Sequence, residues 1–382
     1  MPSSREQDVA SGTNASIRAT CAKIVREAKA LGASDVHVEP WSGRQTHARA
    51  RVGGDLVALE SFPQVIDLGS ILRVFKVAAN IPIDEKGIPR DGYISASDTV
   101  ACGVDLRLSF FPLLLGEKMV IRLFGAKEFE LSKLLEPNQE VCDQLVQMIH
   151  RTSGLLLFAG PTGSGKTTVM YSAIGNILAK RKADGKEFSV NVSSVEDPVE
   201  SPLEGVSQAQ INISRGFTYE SALRSLMRQN PDVIMIGEIR DPETAHIATR
   251  AGLTGHLVLS TIHSPSTVEV FGRLGNMKLN LHEVASCLIG VIGLRLIRLN
   301  CEGCKCEDRP KASLLRAFEL PPTGVTYRKG KGAACCLGQG YKERRLLSEL
   351  LKVDEVRDII RDGMSLDALR IKPSCGNRKV QD

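Results

Sequence analysis

Residues 160–167 read Gly-Pro-Thr-Gly-Ser-Gly-Lys-Thr and follow the apolar run Leu155-Leu156-Leu157-Phe158. A helix-compatible stretch, Thr168 to Leu178, comes next. Strand, glycine-rich loop, lysine, hydroxyl and helix form G-x-x-x-x-G-K-[ST] in the context that gives the motif meaning. Gly160, Gly163 and Gly165 let backbone N–H groups turn inward around a phosphate chain, with Pro161, Thr162 and Ser164 between them. The helix N-terminus at Thr167 and Thr168 adds partial positive charge at the same place. Lys166 can reach the β- and γ-phosphates, and Thr167 can ligate Mg²⁺. Eight residues alone also suit a glycine-rich turn before a core helix. The apolar strand in front favours nucleotide binding, with ATP or GTP as ligand.

A chain of 382 residues has room for two or three domains. Hydrophobic residues at 42% and charged residues at 24% are those of an ordinary globular protein. Aromatics are only 4%, with a single Trp41, so base-stacking single-strand binding has no support and no nucleic-acid partner is expected. The net charge of +5 permits an acidic partner or anionic lipid without demanding one. Met1 to Asn14 lacks an apolar core of the secretory type. The best apolar candidate for a span, Cys287 to Ile297, is short and contains Arg295, so no membrane span is expected. A cytoplasmic location follows as the simplest reading. The ten cysteines then read as thiols or metal ligands rather than disulfides.

Residues 1–14 are polar and Ser/Gly-rich and are expected to be a disordered tail. From Ala15 to Leu31, Ile17, Cys21, Ile24, Val25 and Ala28 fall on one helical face. Ser34 to Pro40 alternates like an edge strand and stops at proline. Short strands are expected around Ala48–Val52, Leu56–Leu59, Leu106–Phe110 and Val120–Leu123, with a helix over Leu68–Ala79 among them. This mixed order indicates a small α+β domain over 15–124. A linker over 125–137 leads to residues 138–382. There a helix at Val141–Ile149 precedes the loop, and strands at Val190–Val195, Val233–Ile236 and Leu257–Ser260 alternate with helices. That alternation indicates a doubly wound α/β nucleotide-binding core. Beyond Arg298 a cysteine-containing subregion, about 299–345, is expected within this domain, followed by helical segments to about Leu369.

Asp232-Val233-Ile234-Met235-Ile236-Gly237-Glu238 reads as a buried strand ending in a carboxylate, at the edge where open α/β sheets bind ligand. Glu238 can polarise water directly or through the Mg²⁺ shell. The usual form puts Asp directly after the apolar residues, so Gly-Glu is itself a distinguishing variant. Glu196-Asp197-Pro198-Val199-Glu200 follows another apolar stretch; its acids suit Mg²⁺ or water, and equally a solvated turn. His256 and His263 bracket Leu257–Ser260 and suit either γ-phosphate sensing or ordinary structural roles.

Together these stretches resemble the secretion ATPase superfamily, in its type II secretion and type IV pilus assembly branch. Gly160–Thr167 matches its Walker A loop, Glu196–Glu200 its Asp box, Gly237-Glu238-Ile239-Arg240-Asp241 its Walker B, and Thr254-Gly255-His256 through His263 its His box. Ser34–Pro40 is similar to the family element ASDIHIEP, and Pro89-Arg90-Asp91-Gly92 to its PQDG turn. The resemblance implies a RecA-like P-loop ATPase core with a smaller α+β, PAS-like N-terminal domain. It implies ATP as nucleotide, with Mg²⁺ held through Thr167, Glu196 and Glu238. It also implies a catalytic set of Glu238, Glu196, His263 and His256, joined by Arg107 and Arg122 carried from the small domain to the nucleotide. On the residues alone, each arginine is equally a solvated strand residue. Arg224 and Arg228 match family positions more loosely.

Cys301-Glu302-Gly303-Cys304 is a metal half-site, and Gly340-Tyr341-Lys342-Glu343-Arg344 follows in family order. The second family C-x-x-C is here Cys335-Cys336, with Ala333 where its first cysteine belongs. Adjacent cysteines reach one metal only through a strained loop, and Cys306 is a possible substitute ligand. A Zn²⁺ site and a degenerate thiol knuckle both stay open.

The implied function is a homohexameric motor ATPase. It works with an inner-membrane platform protein, at the cytoplasmic face, to assemble a type IV pilus or a type II secretion pseudopilus. Pilus retraction shares the four boxes. A conjugation-type transfer ATPase is kept open by the Lys/Arg-rich stretch Ala179–Ser189. A nucleic-acid translocase of RecA-like core is a different class again, distinguished by stimulation of its ATPase by DNA.

Overall fold

Apolar residues at helical spacing need a surface to cover, and in the first part of the chain that surface is a twisted antiparallel sheet. The computed structural model describes residues 4–41, 46–60, 67–83, 87–124, 130–187, 189–318, 320–355 and 357–361. The chain forms two compact units: residues 1–127 with 298–343, and residues 128–297 with 344–382.

The first unit contains strands β1 (Asp35–Pro40), β2 (Thr46–Val52), β3 (Asp55–Ala58), β4 (Arg90–Ile94), β5 (Asp105–Leu113) and β6 (Gly116–Phe124). Their order across the sheet is β3-β2-β1-β6-β5-β4. Helix Ser4–Ala30 contributes Cys21, Ile24, Val25 and Ala28 to its core. Helix Leu68–Ala78, capped by Asp67, adds Ile71, Leu72 and Phe75. They pack with Val36, Val38, Leu106, Leu108, Phe110 and Ile121, which alternate along their strands as a half-covered sheet requires.

Two expectations for this unit need correction. The helix begins at Ser4, eleven positions before the expected start, over residues assigned to a disordered tail. The stretch from Ser4 to Ser16 contains Glu, Gln and Ala and no proline, so the packed turns from Cys21 onward can propagate backwards through it. Second, β1 is an interior strand between β2 and β6. Pro40 is tolerated because pairing with β6 runs only from Asp35 to Val38, so its missing N–H removes no bond from that ladder.

The second unit is organised around a seven-stranded sheet. It contains β7 (Gly154–Ala159), β8 (Val192–Glu196), β9 (Val206–Gln210), β10 (Val233–Ile236), β11 (Leu257–Ile262) and β12 (Leu288–Asn300). The hairpin β13 (Lys305–Asp308) and β14 (Tyr327–Gly330) intervenes in sequence before the seventh strand, β15 (Tyr341–Lys352). The spatial order is β15-β12-β7-β11-β10-β8-β9. Every pairing from β12 to β9 is parallel. β7 is buried along its whole length. Its Leu155, Leu157 and Ala159 enter one core with Ala245, Ala248 and Ala251 of helix Pro242–Leu253. Its Leu156 and Phe158 enter another with Val169, Met170, Ala173 and Ile174 of helix Lys166–Ala183. Helices on both faces explain the unbroken apolar run that preceded the loop in sequence.

The tail beyond Arg298 differs from expectation. Among its described residues strand outweighs helix, with β15 reading Tyr-Lys-Glu-Arg-Arg-Leu-Leu-Ser-Glu-Leu-Leu-Lys, whose leucines look helical in isolation; the expected helical segment beyond Arg361 lies outside the described residues. The cysteine subregion also belongs to the first unit, although it was expected within the nucleotide-binding domain. There Gln339 Nε2 donates to Val52 O at 2.7 Å, and Gly53, at φ +63°, leaves the space that Gln339 Oε1 fills. Of the expected linker, residues 125–129 lie outside the described residues. Leu131–Leu134 is helical, and Glu136–Asn138 forms a single 3-10 turn. Among the described residues no helix is long and apolar enough to cross a membrane.

Candidate functional site

Parallel strands deliver their carboxyl ends to one edge of a sheet, and here four of them deliver the residues singled out above. β7 leads into the glycine-rich loop, β8 ends on Glu196, β10 is followed by Gly237-Glu238, and β11 by His263. The loop is shaped by close approach. A Cβ at Gly160 would collide with the Ser164 side chain and lie 2.6 Å from Leu294 O. Gly163 and Gly165 take φ of +74° and +90°, and Gly165 caps helix Lys166–Ala183 without any side-chain acceptor. First-turn N–H groups there have no side-chain cap. Lys166 is buried, and its Nζ donates to Gly160 O at 2.9 Å and Pro161 O at 2.8 Å. Burial pushes its pKa down, against the pull of Glu238. Ser164 Oγ is buried with no hydrogen-bond partner among the described residues. A cation resting on loop carbonyls beside an orphaned hydroxyl fits a loop whose proper partner is an anion.

Glu238 is held from both sides. Gly237 N donates to Val195 O at 2.8 Å, Thr261 Oγ1 to Gly237 O at 2.7 Å, and Ile239 N to Thr261 O at 2.9 Å. These bonds pin the end of β10 between β8 and β11. The Glu238 carboxylate accepts from Arg240 Nη2, and Arg240 also lies 3.7 Å from Asp197. His263 Nε2 is 3.6 Å from Glu238 Oε2, beyond hydrogen-bond distance. Burial, and then Lys166, lower the His263 pKa below its ordinary 6.5, so the free imidazole is neutral at neutral pH. The glycine before Glu238 has a steric cause. A Cβ at 237 would sit 2.9 Å from the Tyr219 hydroxyl and 3.3 Å from Glu196 Cα. Asp241, next in the same segment, caps helix Pro242–Leu253 through Thr244 N at 2.8 Å.

Glu196 is buried and enclosed by neutral donors. Tyr171 donates to Oε2, while Ser194 Oγ and Gln208 Nε2 donate to Oε1 at 2.6 and 3.0 Å. The Tyr171 pKa is raised by burial and then by Glu196, which keeps it a donor. Sequence reasoning missed Tyr171, Gln208 and Tyr219, and quoted Arg240 only as part of the Walker B match. Tyr171 carried a signal, since it stands one helical turn after Thr167. Tyr219 carried none.

Not every expected residue joins this edge. His256 stands at the start of β11, so the six-residue strand separates it from the loop edge by about 20 Å. Its Nδ1 is 3.1 Å from Ala251 O at the end of helix Pro242–Leu253. The expected γ-phosphate role of His256 is therefore corrected to a structural one within this chain, because a strand's two ends face opposite edges. Arg224 pairs with Glu220 at 2.6 Å, and Arg228 donates to Arg224 O. Arg107 and Arg122 belong to the first unit, directly opposite one another on β5 and β6. Arg122 Nε pairs with Asp35 at 2.9 Å. Arg107 has no hydrogen bond or ion pair recorded among the described residues.

The cysteine cluster is also in the first unit. The sulfurs of Cys301, Cys304, Cys335 and Cys336 all lie within 4.8 Å of one another. Cys301 to Cys335 is 3.7 Å and Cys304 to Cys336 is 3.5 Å. Tetrahedral thiolates about 2.3 Å from one ion would stand roughly 3.8 Å apart, so the set fits such an ion. Backbone contacts at Ala333 lower the Cys304 pKa to about 6, while its bond to Cys301 raises that of Cys335 to about 12. One cation would relieve that competition. The strain expected of adjacent ligands is visible at Leu337, which takes φ +53° before Gly338. Cys306 lies on β13 and is not part of the set.

The family model described as Type II/IV secretion system protein matches residues 10–373. The type IV pilus assembly ATPase PilB of Thermus thermophilus is 38% identical over 353 residues, which are 91% of this chain and 38% of that protein. The type II secretion system protein E of Klebsiella pneumoniae is 36% identical over 333 residues, 87% of this chain and 65% of that one. The chain thus spans less than two thirds of the length of either relative. Among solved structures, the pilus retraction motor PilT with bound ADP matches 91% of this chain and 87% of its own at TM-score 0.64 and 24% identity. The ATPase DotB of Legionella pneumophila matches at TM-score 0.63 and 20% identity, covering 92% and 87%. These structural likenesses speak to the fold.

Proposed function

Since the chain belongs to the type II/IV secretion system protein family, we propose that it is a motor ATPase that hydrolyses ATP to drive assembly of a type IV pilus or a type II secretion pseudopilus. The observation that carries this reading is the buried Lys166, resting on the carbonyls of Gly160 and Pro161 and electrostatically coupled to Glu238. In this reading Lys166 exchanges those carbonyls for β- and γ-phosphate oxygens, and the N–H groups of Gly163 to Thr167 enclose the chain of phosphates. The hydroxyl of Thr167, with Glu196 and Glu238 nearby, holds Mg²⁺ directly or through water. Magnesium bound with ATP supplies neutralisation of charge across the transferred phosphoryl group. Glu238 orients water and takes its proton, and neutral His263 senses the γ-phosphate by hydrogen bond.

The wider assembly is proposed on the same footing. Six copies form a ring, in which Arg107 and Arg122 of the small PAS-like domain meet the nucleotide of the RecA-like core. The facing arginines, only one of them with a carboxylate partner among the described residues, support that role. The ring works against an inner-membrane platform protein at the cytoplasmic face. Cys301, Cys304, Cys335 and Cys336 hold one Zn²⁺.

Glu238→Gln is the test of the chemistry. It keeps the shape and removes the carboxylate, so nucleotide binding should persist while turnover falls by about 10² or more. Lys166→Ala should instead weaken binding. Turnover at the parent rate in Glu238→Gln would overturn the assignment.

A further inference from the structure

The Tyr219 ring begins helix Tyr219–Leu226, whose N-terminus is already closed by Thr218 and Ser221. Its hydroxyl therefore has no capping role. The ring packs on the core formed with Ile236 and Ile239, yet the hydroxyl oxygen is buried with no hydrogen-bond partner among the described residues. It comes so close to Gly237 that a Cβ there would sit 2.9 Å away. Gly237 immediately precedes Glu238, and the same hypothetical Cβ would lie 3.3 Å from Glu196 Cα. The hydroxyl oxygen and the Glu196 backbone thus both lie close against Gly237, the residue before Glu238.

We propose that Tyr219 is a positioning residue whose hydroxyl, without a hydrogen-bond partner among the described residues, donates to the Glu238 carboxylate when nucleotide occupies the loop. The proposal rests on the ATPase reading above.

A buried hydroxyl without a partner is destabilising, and phenylalanine in its place would remove that cost. Its retention therefore needs a state in which the donor is used. Glu238 offers that state. The carboxylate is drawn to Arg240 on one side. Binding an anionic ligand beside Lys166 redistributes charge around Glu238, and a hydrogen bond from Tyr219 would then fix the carboxylate toward the attacking water. The electrostatics agree: after burial, Glu238 is the strongest influence holding the Tyr219 phenol protonated, followed by Asp197. A protonated phenol is a donor, the polarity that a carboxylate requires.

Tyr219→Phe separates this role from packing, because it removes one oxygen and keeps the ring. The expected result is a kcat about 10- to 100-fold lower, with KM for ATP changed little, as for the loss of one hydrogen bond to a charged group. The same variant should melt roughly 2 °C or more higher in the absence of nucleotide. In a Glu238→Gln background the substitution should bring no further loss of single-turnover rate, since it acts through that carboxylate. An unchanged kcat overturns the proposal whatever happens to Tm. A lower kcat with a lower Tm overturns it as well, because the hydroxyl would then have a partner in the free state. Full additivity with Glu238→Gln would place its action elsewhere. If Glu238→Gln alone leaves turnover intact, the ATPase reading fails first, and that outcome is distinguishable from failure of Tyr219→Phe alone.

Discussion

Glu196, Glu238 and His263 stand at or just beyond the carboxyl ends of buried parallel strands, whereas Cys301, Cys304, Cys335 and Cys336 are gathered by turns. In the first case the scaffold is the ladder itself. Gly237 N to Val195 O and Ile239 N to Thr261 O are continuations of strand pairing, so geometry is inherited from the core. In the second, the cysteines lie in segments 301–304 and 335–336, and Cys301 N is held by Gly340 O at 2.8 Å. That loop tolerates a left-handed leucine to bring adjacent sulfurs inward. A site built on strand ends needs no metal to hold its shape. A site built on turns gathers its four sulfurs through contacts between the thiols themselves, and a bound cation would add four bonds to that set.

A third place, the arginine pair Arg107 and Arg122, lies between these extremes and gives the largest expected effect. It sits on regular strands, and among the described residues only Arg122 of the two has a carboxylate partner, Asp35. Arg107→Ala should lower kcat on the order of 10³-fold, the effect of removing an arginine that stabilises a transferring phosphoryl group. Nucleotide affinity and Tm should change little. Turnover at the parent rate, in protein confirmed as a ring by mass, would leave Arg107 a solvated strand residue and confine function to the strand-end edge.

The next effect sharpens the contrast directly. Protein purified without chelator should contain one zinc per chain, and Cys304→Ser should lose it. Removing the metal should lower the melting transition of the first unit by several degrees, while magnesium removal should leave that transition in place. Near-zero zinc with every thiol free to react would mean that the turn-built cluster is a thiol knot and that the contrast has been misjudged.

The smallest effect concerns protons, and both units share it. Burial lowers the pKa of His37 in the first unit and His150 in the second below 6.5, with Lys118 and Lys180 acting in the same direction. Below that pH the unfolded chain takes up protons that these folded histidines refuse. Stability is therefore lower in mild acid, rises as pH passes through the ordinary histidine value, and levels off above it. Tm measured between pH 5 and 8 should show this slope, and His150→Gln should make it shallower while leaving the share of His37 in place. A slope of opposite sign would mean that these imidazoles gain protons on folding.

Much of this was legible beforehand, for a physical reason that differs from element to element. Leu155–Phe158 announced a strand covered on both faces because only such a strand is apolar without interruption. Glu196, Glu238 and His263 were legible because a residue at the end of a parallel strand has its place decided by chain order alone. Glycine at 160, 163 and 165 declared the loop because other residues would collide or strain there. The sequence by itself thus determined that Glu196, Glu238 and His263 stand at the same sheet edge as the glycine-rich loop.

Tertiary structure decided the rest. The leucines of β15 fit a helix locally and become strand only because β12 offers an edge to pair with. His256 and His263 look equivalent in sequence, yet strand direction sends them to opposite edges. The cysteine segment's place in the first unit includes an amide, Gln339, meeting a carbonyl at Val52 nearly 300 residues earlier, which no local pattern announces. Tyr219 is the sharpest instance. Its helix start is written locally by Thr218 and Ser221, but the burial of its hydroxyl beside Gly237 arises only when β8 and β10 are paired and the helix is laid across their ends. Local patterns encode periodicity and strain, which a residue carries with it. Which polar atoms are left without a partner depends on what the completed fold brings beside them.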